Sequence, residues 1–217
     1  MIALFDLDYT LTRRGTWGRF VWRTVRARPW LWIPLLAGTL ANQIDYKRGR
    51  TPRGTVKRTM MRWSLMRRKR AELQAMAEDF ARREVRRLRD GALPVLREHK
   101  GAGHTVMVAS AAVDLLVEPI CRELGIAHYV CTRTQWDGER LCDTFRGENC
   151  YGDAKRRAVE AYWSEHGLSG PAGVFYTDSC ADFALAPVCE TIVVVNPKSK
   201  TRAEAEAAGY AIVDWNG

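Results

Sequence analysis

Two aspartates, Asp6 and Asp8, end the apolar run Ile2 to Phe5 near the head of the chain, in MIALFDLDYTLT. Three later stretches hold residues that could act on the same chemical group: Ser110 at the end of HTVMVAS, Lys155 in GDAK, and Asp178 and Asp182 in YTDSCAD. A carboxylate can attack phosphorus, and a second one two residues on along extended chain lies on the same face, where it can pass a proton to a leaving alcohol. A hydroxyl and an ammonium can hold phosphoryl oxygens where charge gathers in the transition state. Carboxylates gathered at one site repel one another and call for a hard cation, so Asp6, Asp178 and Asp182 imply bound Mg²⁺, and Mn²⁺ would accept the same oxygen ligands. Plainer readings stand beside these. Asp6 and Asp8 could be turn residues with Thr10 and Thr12 as caps, Lys155 a solvated helix-start lysine, and Asp182 an N-cap for FALAPV.

For these residues to act together they must reach one edge of a common framework. Ile2 to Phe5 reads as a short strand buried on both faces, in the manner of a parallel sheet. Residues 13 to about 100 read as mostly helical, with Leu65, Leu73, Met76 and Phe80 leading into Val85 and Leu88 at helical spacing. Beyond that block the grammar becomes strand then helix. HTVMVAS predicts a strand ending at Ser110, VDLLVEPICRELG a helix closed by Gly125, and AHYVC another strand. CTRTQWDGERLCDTF predicts a hairpin turning at Asp137-Gly138, and DAKRRAVEAYWSEHG a helix with Asp153 as cap and Gly167 as stop. AGVFYTD, TIVVVN and AIV read as three more strands. The alternation predicts an α/β fold, a doubly wound Rossmann-like parallel sheet built from residues 1–12 and 101–217, with an inserted helical cap at 13–100. Function in such sheets belongs at the carboxyl ends of the strands, where the four motifs fall.

The order D-x-D-x-T, then Ser, then Lys, then D-S-x-x-D, from residue 6 to residue 182, resembles the haloacid dehalogenase superfamily of phosphatases. The helical insert after the first motif is similar to the class with a C1-type cap. The hairpin, GENCYGDAK and the late VVNPKSKTRAEAEAAGYAIVDW resemble its phosphoserine-phosphatase-like subclass IB. The resemblance implies a Mg²⁺-dependent phosphomonoester phosphatase in which Asp6 is the nucleophile and forms an aspartyl-phosphate. It implies Asp8 as general acid and then base, Ser110 and Lys155 as phosphate-binding groups, and Thr10 as a support for the loop. The metal site would comprise Asp6, Asp8 through its backbone carbonyl, Asp178 and Asp182. Asp8 favours phosphoester work over halide displacement, while a phosphomutase stays open. Tyr9 departs from the glycine or asparagine often found there, and Ala111-Ala112 follow Ser110 without the glycine that many relatives show.

Charge and composition bear on partners. The net charge of +9 hides an asymmetry: residues 1–70 hold 17 Lys+Arg against 3 Asp+Glu, and the rest of the chain is acidic. The sharpest run is Arg67-Arg68-Lys69-Arg70. Such an excess points to an anionic partner. Trp30 to Ala41 carry no charge, but as a helix they would span about 18 Å against a hydrocarbon core of roughly 30 Å. Arginines and five tryptophans (Trp17, Trp22, Trp30, Trp32, Trp63) accompany this run and suit a water-lipid interface, so the cap is expected to rest on an anionic membrane surface. The opposing reading buries Trp30 to Leu40 as the seam of the cap's bundle. Over about residues 16–60 the composition also resembles the cap of bacterial phosphatidylglycerophosphatases C. That likeness implies a lipid head-group phosphate such as phosphatidylglycerol phosphate as substrate, with a soluble ester such as phosphoserine as the alternative. Nucleic acid fits less well, because no recognised module accompanies the arginines. Six cysteines form no CxxC pair or zinc spacing, and nothing basic precedes Ile2 as in a signal peptide. A cytoplasmic protein, peripheral at the inner face of the membrane, is the expectation.

Overall fold

The computed structural model describes residues 1–52, 54–66, 68–168 and 170–216. Arg67, in the basic run, lies outside the described residues. Six parallel strands form one sheet: β1 (Ile2–Phe5), β2 (Thr105–Val113), β3 (His128–Thr132), β6 (Val174–Thr177), β7 (Ile192–Val195) and β8 (Ala211–Val213). Their order is β3-β2-β1-β6-β7-β8, and the two strands between β3 and β6 in sequence, β4 (Thr134–Asp137) and β5 (Arg140–Phe145), form a separate antiparallel hairpin. All four β1 residues are buried because both faces of the sheet are covered. Ala3 and Phe5 pack on one side with Val106, Val108 and Ile120, while Ile2 and Leu4 pack on the other with Met107, Val159 and Trp163. This is the two-residue period of a strand expressed as two cores. The chain winds outward from β1 to β3 and then returns to β6 on the other side of β1, so the sheet's switch point lies at the carboxyl end of β1.

The insert holds α1 (Thr16–Val25), α2 (Trp32–Lys47), α3 (Gly54–Ser64) and α4 (Arg70–Val85), and α5 (Ala92–Gly101) follows. Phe20, Val21, Met61, Leu73 and Phe80 bury one another and meet Leu115 and Leu116 of α6 (Asp114–Glu123). The outgoing and returning chains touch where Thr12 bridges Leu88, and the Arg89 N–H donates to the Leu11 carbonyl at 2.9 Å. Beyond that crossing, Ala92 and Leu96 of α5 pack with Phe5 and Val108 under the sheet. We propose that the insert ends near Leu88, where the two chains cross, since α5 packs with the sheet.

Three local expectations change in detail. β2 runs on to Val113 and does not end at Ser110, because its pairing with β3 resumes after an irregularity between Ser110 and Val113. The hairpin turns at Gly138-Glu139, with Asp137 paired to Arg140, and Gly138 takes the left-handed φ of 54°. Helix α7 (Asp153–Glu165) is preceded by Gly152, at φ 57° and ψ −130°, so Asp153 is its first residue and not its cap. Pro34 leaves α2 unbroken: it is the third residue of the helix, where no intrahelical N–H is needed.

Candidate active site

Asp6 stands one residue past β1, and its N–H continues the ladder to the Tyr176 carbonyl of β6 at 2.9 Å. The next residues, Leu7–Leu11, form a wide loop closed by the Thr12 N–H donating to the Leu7 carbonyl at 2.9 Å. Within it Tyr9 has φ 66°, a conformation that costs a bulky side chain more than glycine or asparagine. Here lies the physical sense of the departure seen at this position. The Arg89 Nε donates to the Tyr9 carbonyl at 2.8 Å and helps hold the turn. Thr10 Oγ1 reaches back to Asp6 Oδ2 at 3.3 Å, as expected of a loop support.

Lys155 enters the site on the first turn of α7 and is 2% exposed, which disposes of the solvated-lysine reading. Its Nζ donates to Asp6 Oδ1 at 2.9 Å and lies 2.7 Å from Asp182 Oδ1. Asp182 also receives Thr177 Oγ1 at 2.8 Å, so it is neither a surface cap nor free to serve a cation with both oxygens. Ser110 sits at the irregularity of β2, buried, with its Oγ accepting the Ala112 N–H at 3.1 Å. A bulge of this kind re-aims side chains beside active sites. Asp8 is half-buried, and its Oδ1 accepts the N–H of Thr16, the first residue of α1, at 2.9 Å.

A cavity of about 280 Å³ gathers Asp6, Asp8, Ser110, Lys155, Asp178 and Asp182, the catalytic, phosphate-binding and metal candidates read from the sequence. Three further lining residues, Tyr151, Lys198 and Thr201, were not singled out from the sequence, and Ser179 entered only as the serine of D-S-x-x-D. Nothing in the local spacing of Tyr151, Lys198 and Thr201 distinguishes them; they reach the site through the fold. A second cavity, of about 380 Å³, shares Asp8 and Ala111 with the first and is walled on its other side by Gln43, Tyr46 and Lys57 of the insert. The two cavities therefore adjoin at Asp8 and Ala111.

The electrostatics of the first cavity call for added positive charge. Burial pushes Asp6 up to about 8 against the pull of Lys155, with Asp182 and Asp178 adding repulsion. Burial likewise raises Asp178 to about 6, and raises Asp8 against the Thr16 N–H. Burial would lower Lys155, but Asp182 and Asp6 outweigh it and hold the ammonium charged. Among the described residues no three His, Cys, Asp or Glu side chains form a ready-made metal cluster. The donor chemistry nevertheless fits Mg²⁺, which binds through one or two carboxylates and keeps waters for the rest of its shell. Asp6 and Asp178 supply such a pair.

The sign of the resulting pH dependence follows from these shifts. Acids whose folded pKa is raised hold protons that the unfolded chain has released, so the metal-free protein should lose stability as pH rises from about 4 to about 8. A cation would replace those protons. The melting-temperature difference between Mg²⁺ and EDTA should therefore be small at pH 5 and widen toward pH 8; a pH-independent difference would disconnect the cation from these acids.

With this geometry in view, the comparisons with known proteins are informative. The family model described as haloacid dehalogenase-like hydrolase matches residues 3–187, and the chain belongs to that family. A probable phosphatase of Mycobacterium tuberculosis is 29% identical over 128 residues, covering 58% of this chain and 43% of that protein. The chain thus spans less than half the length of the first curated relatives it matches. A crystal structure from Bordetella pertussis, of a protein with unknown function, superposes with a TM-score of 0.83 at 27% identity, covering 99% of this chain and 98% of that one. A phosphoserine phosphatase, in a phospho-aspartyl intermediate analogue structure, superposes at 0.67 with 18% identity over 100% of this chain and 93% of its own. That last likeness establishes a shared α/β fold.

Proposed function

We propose that the chain is a Mg²⁺-dependent phosphomonoester phosphatase working through an aspartyl-phosphate on Asp6. The observation that carries this reading is the buried Lys155, which ties Asp6 to Asp182 within one small cavity that also holds Asp8, Ser110 and Asp178. A lysine so placed orients Asp6 and offers its ammonium to phosphoryl oxygens, and the Ser110 hydroxyl can donate to another. An Asp6 oxygen attacks phosphorus in line; the P–O bond to the alcohol breaks, and Asp8 gives the departing oxygen its proton. Asp8, now a carboxylate, takes a proton from water, whose oxygen attacks the aspartyl-phosphate and releases inorganic phosphate. Asp6, Asp178 and the Asp8 carbonyl would hold Mg²⁺, with Asp182 assigned to Lys155 instead. The cation supplies charge neutralisation for the nucleophile and the transferring group.

Soluble small phosphomonoesters are the first substrates to test, since the phosphatase-named relative and the phosphoserine phosphatase fold point that way. One observation favours a second reading. Ile33, Leu36 and Leu40 of α2 are 78%, 66% and 63% exposed, with Trp30 exposed just before them, so most of the uncharged run is not the bundle's buried seam. Only Leu31 and Leu35 are buried there. Exposed Arg26 precedes this stripe and exposed Lys47, Arg48 and Arg50 follow it, a pattern suited to lying on an anionic bilayer. No helix among the described residues is long and apolar enough to cross a membrane.

Phosphate release by purified protein should be measured in Mg²⁺ and in EDTA. The substrates are phosphoserine, other soluble esters and phosphatidylglycerol phosphate in mixed micelles. We expect Mg²⁺-dependent release from soluble esters. A clear preference for the lipid, with salt-sensitive co-sedimentation on phosphatidylglycerol vesicles, would select the second reading. An absence of release from every ester would overturn the phosphatase assignment.

A further inference from the structure

Tyr9 holds its left-handed φ of 66° where a glycine or asparagine would sit with less strain, so the side chain that imposes the strain calls for a role. Its ring is 42% exposed and lines the same cavity as Asp6, Asp8 and Asp178. The ammonium of Lys198, a second lysine of that lining, lies over this ring at 5.4 Å from its centroid. The two residues come from loops that are each held in place. Arg89 fixes the Tyr9 carbonyl. Lys198 stands between β7 and α8 (Ser199–Ala207). Two residues earlier the Asn196 N–H donates to the Val213 carbonyl and the Asn196 Oδ1 accepts the Trp215 N–H, both at 2.9 Å, which ties this loop to β8 and the chain beyond it. Lys155 is buried between Asp6 and Asp182, whereas Lys198 is exposed and rests on a neutral ring. A ring quadrupole attracts an ammonium without cancelling its charge, so Lys198 keeps that charge on offer to an anion entering the cavity.

We propose that Tyr9 parks Lys198 at the rim of the phosphate cavity, and that Lys198 leaves the ring to bind a phosphoryl oxygen of the arriving ester and of the orthophosphate that departs. The proposal rests on the phosphatase reading and deepens it, adding one phosphate-binding residue and one positioning residue, both on core loops. The group recognised is the phosphoryl dianion itself, so the leaving alcohol plays no part. A contact with an oxygen that is charged before and during transfer stabilises both states alike, and its loss shows in KM and not in kcat. Without the ring, Lys198 can turn to the carboxylates of the same lining, and an ammonium paired with one of them is lost to the ligand.

Steady-state kinetics on phosphoserine and on glycerol phosphate in Mg²⁺, with orthophosphate as competing product, test both roles. Lys198→Met should raise KM on both esters, and the inhibition constant of orthophosphate with them, by about tenfold, while kcat stays within about threefold of wild type. Lys198→Arg should restore most of the loss. Tyr9→Phe keeps the ring and should keep the wild-type KM. Tyr9→Asn suits the left-handed conformation better, so it should melt higher and still show part of the KM rise. In the Lys198→Met background, Tyr9→Asn should raise KM no further, the signature of two residues acting through one contact. A loop that is merely disturbed would lower kcat and add its effect to that of Lys198→Met. KM and orthophosphate inhibition within about twofold of wild type in Lys198→Met, or additive effects in the double variant, would overturn the proposal. If the wild type hydrolyses no ester, the phosphatase reading fails by itself, and calorimetric titration of orthophosphate in Mg²⁺ still decides the role of Lys198. Binding weaker by about fivefold or more in Lys198→Met sustains the proposal, while equal affinities, or no binding by the wild type, reject it.

Discussion

Asp6→Asn is expected to reduce phosphate release by at least about four orders of magnitude while the protein folds normally. An amide of nearly the same shape lacks the anionic oxygen that attacks phosphorus. The exchange leaves the neighbourhood intact, because the side-chain carbonyl can still accept from Lys155 and Lys155 keeps its contact with Asp182. Since burial and the neighbouring acids already disfavour charge on Asp6, the variant should melt at or above the wild-type temperature in EDTA. In Mg²⁺ the order should reverse, because a ligand has been weakened. Mass spectrometry of protein quenched during turnover should find a phosphate adduct on the peptide holding Asp6 in the wild type and none in the variant. Turnover by Asp6→Asn within tenfold of wild type would remove Asp6 from the reaction.

The second large effect is on stability. Lys155→Met removes the cation between two buried carboxylates, and a charge left uncompensated in such a place costs about 3–5 kcal/mol. For a chain of this size that corresponds to a melting temperature lower by roughly 10 °C. Activity should fall by a factor of about 10² to 10³ even where the variant is fully folded, because a donor to the phosphoryl oxygens is lost. The diagnostic is the pair Lys155→Met with Asp182→Asn, in which one of the stranded charges is also removed. The double variant should recover a large part of the lost stability and none of the activity. If Lys155→Met melts within 2 °C of the wild type, the ion pair is not the support described above.

How far the sequence reveals this site depends on where each residue's information lies. Asp6, Asp8, Ser110, Lys155 and Asp178 can be brought to one edge from the sequence because each lies in or just past the carboxyl-terminal part of a strand, or opens a helix, that hydrophobic patterning marks. Spacing cannot say which of several acids a buried lysine will contact, and it is packing that sets Asp182 against Lys155. Where the insert ends is hard to read for a related reason: Leu88, Ala92 and Leu96 carry an ordinary helical rhythm, and it is tertiary packing that joins them to the sheet. Lys57 is hidden by numbers. It is one of 17 basic residues in the first 70, and nothing local sets it apart from arginines that end on the surface.

The hydrogen bond from the Thr16 N–H to Asp8 has a further implication. In the proposed mechanism the group that protonates the leaving alcohol is aligned by the leading end of the first insert helix, not by the sheet that carries the proposed nucleophile. Any swing of α1 away from the core would withdraw that alignment while Asp6 and Lys155 stayed in place. Under the proposed mechanism, acid and insert would then be interlocked, with the proton donor aligned only while α1 sits against the core. An opened enzyme could admit or release ligand, but it would hold an idle nucleophile and not a leaking one.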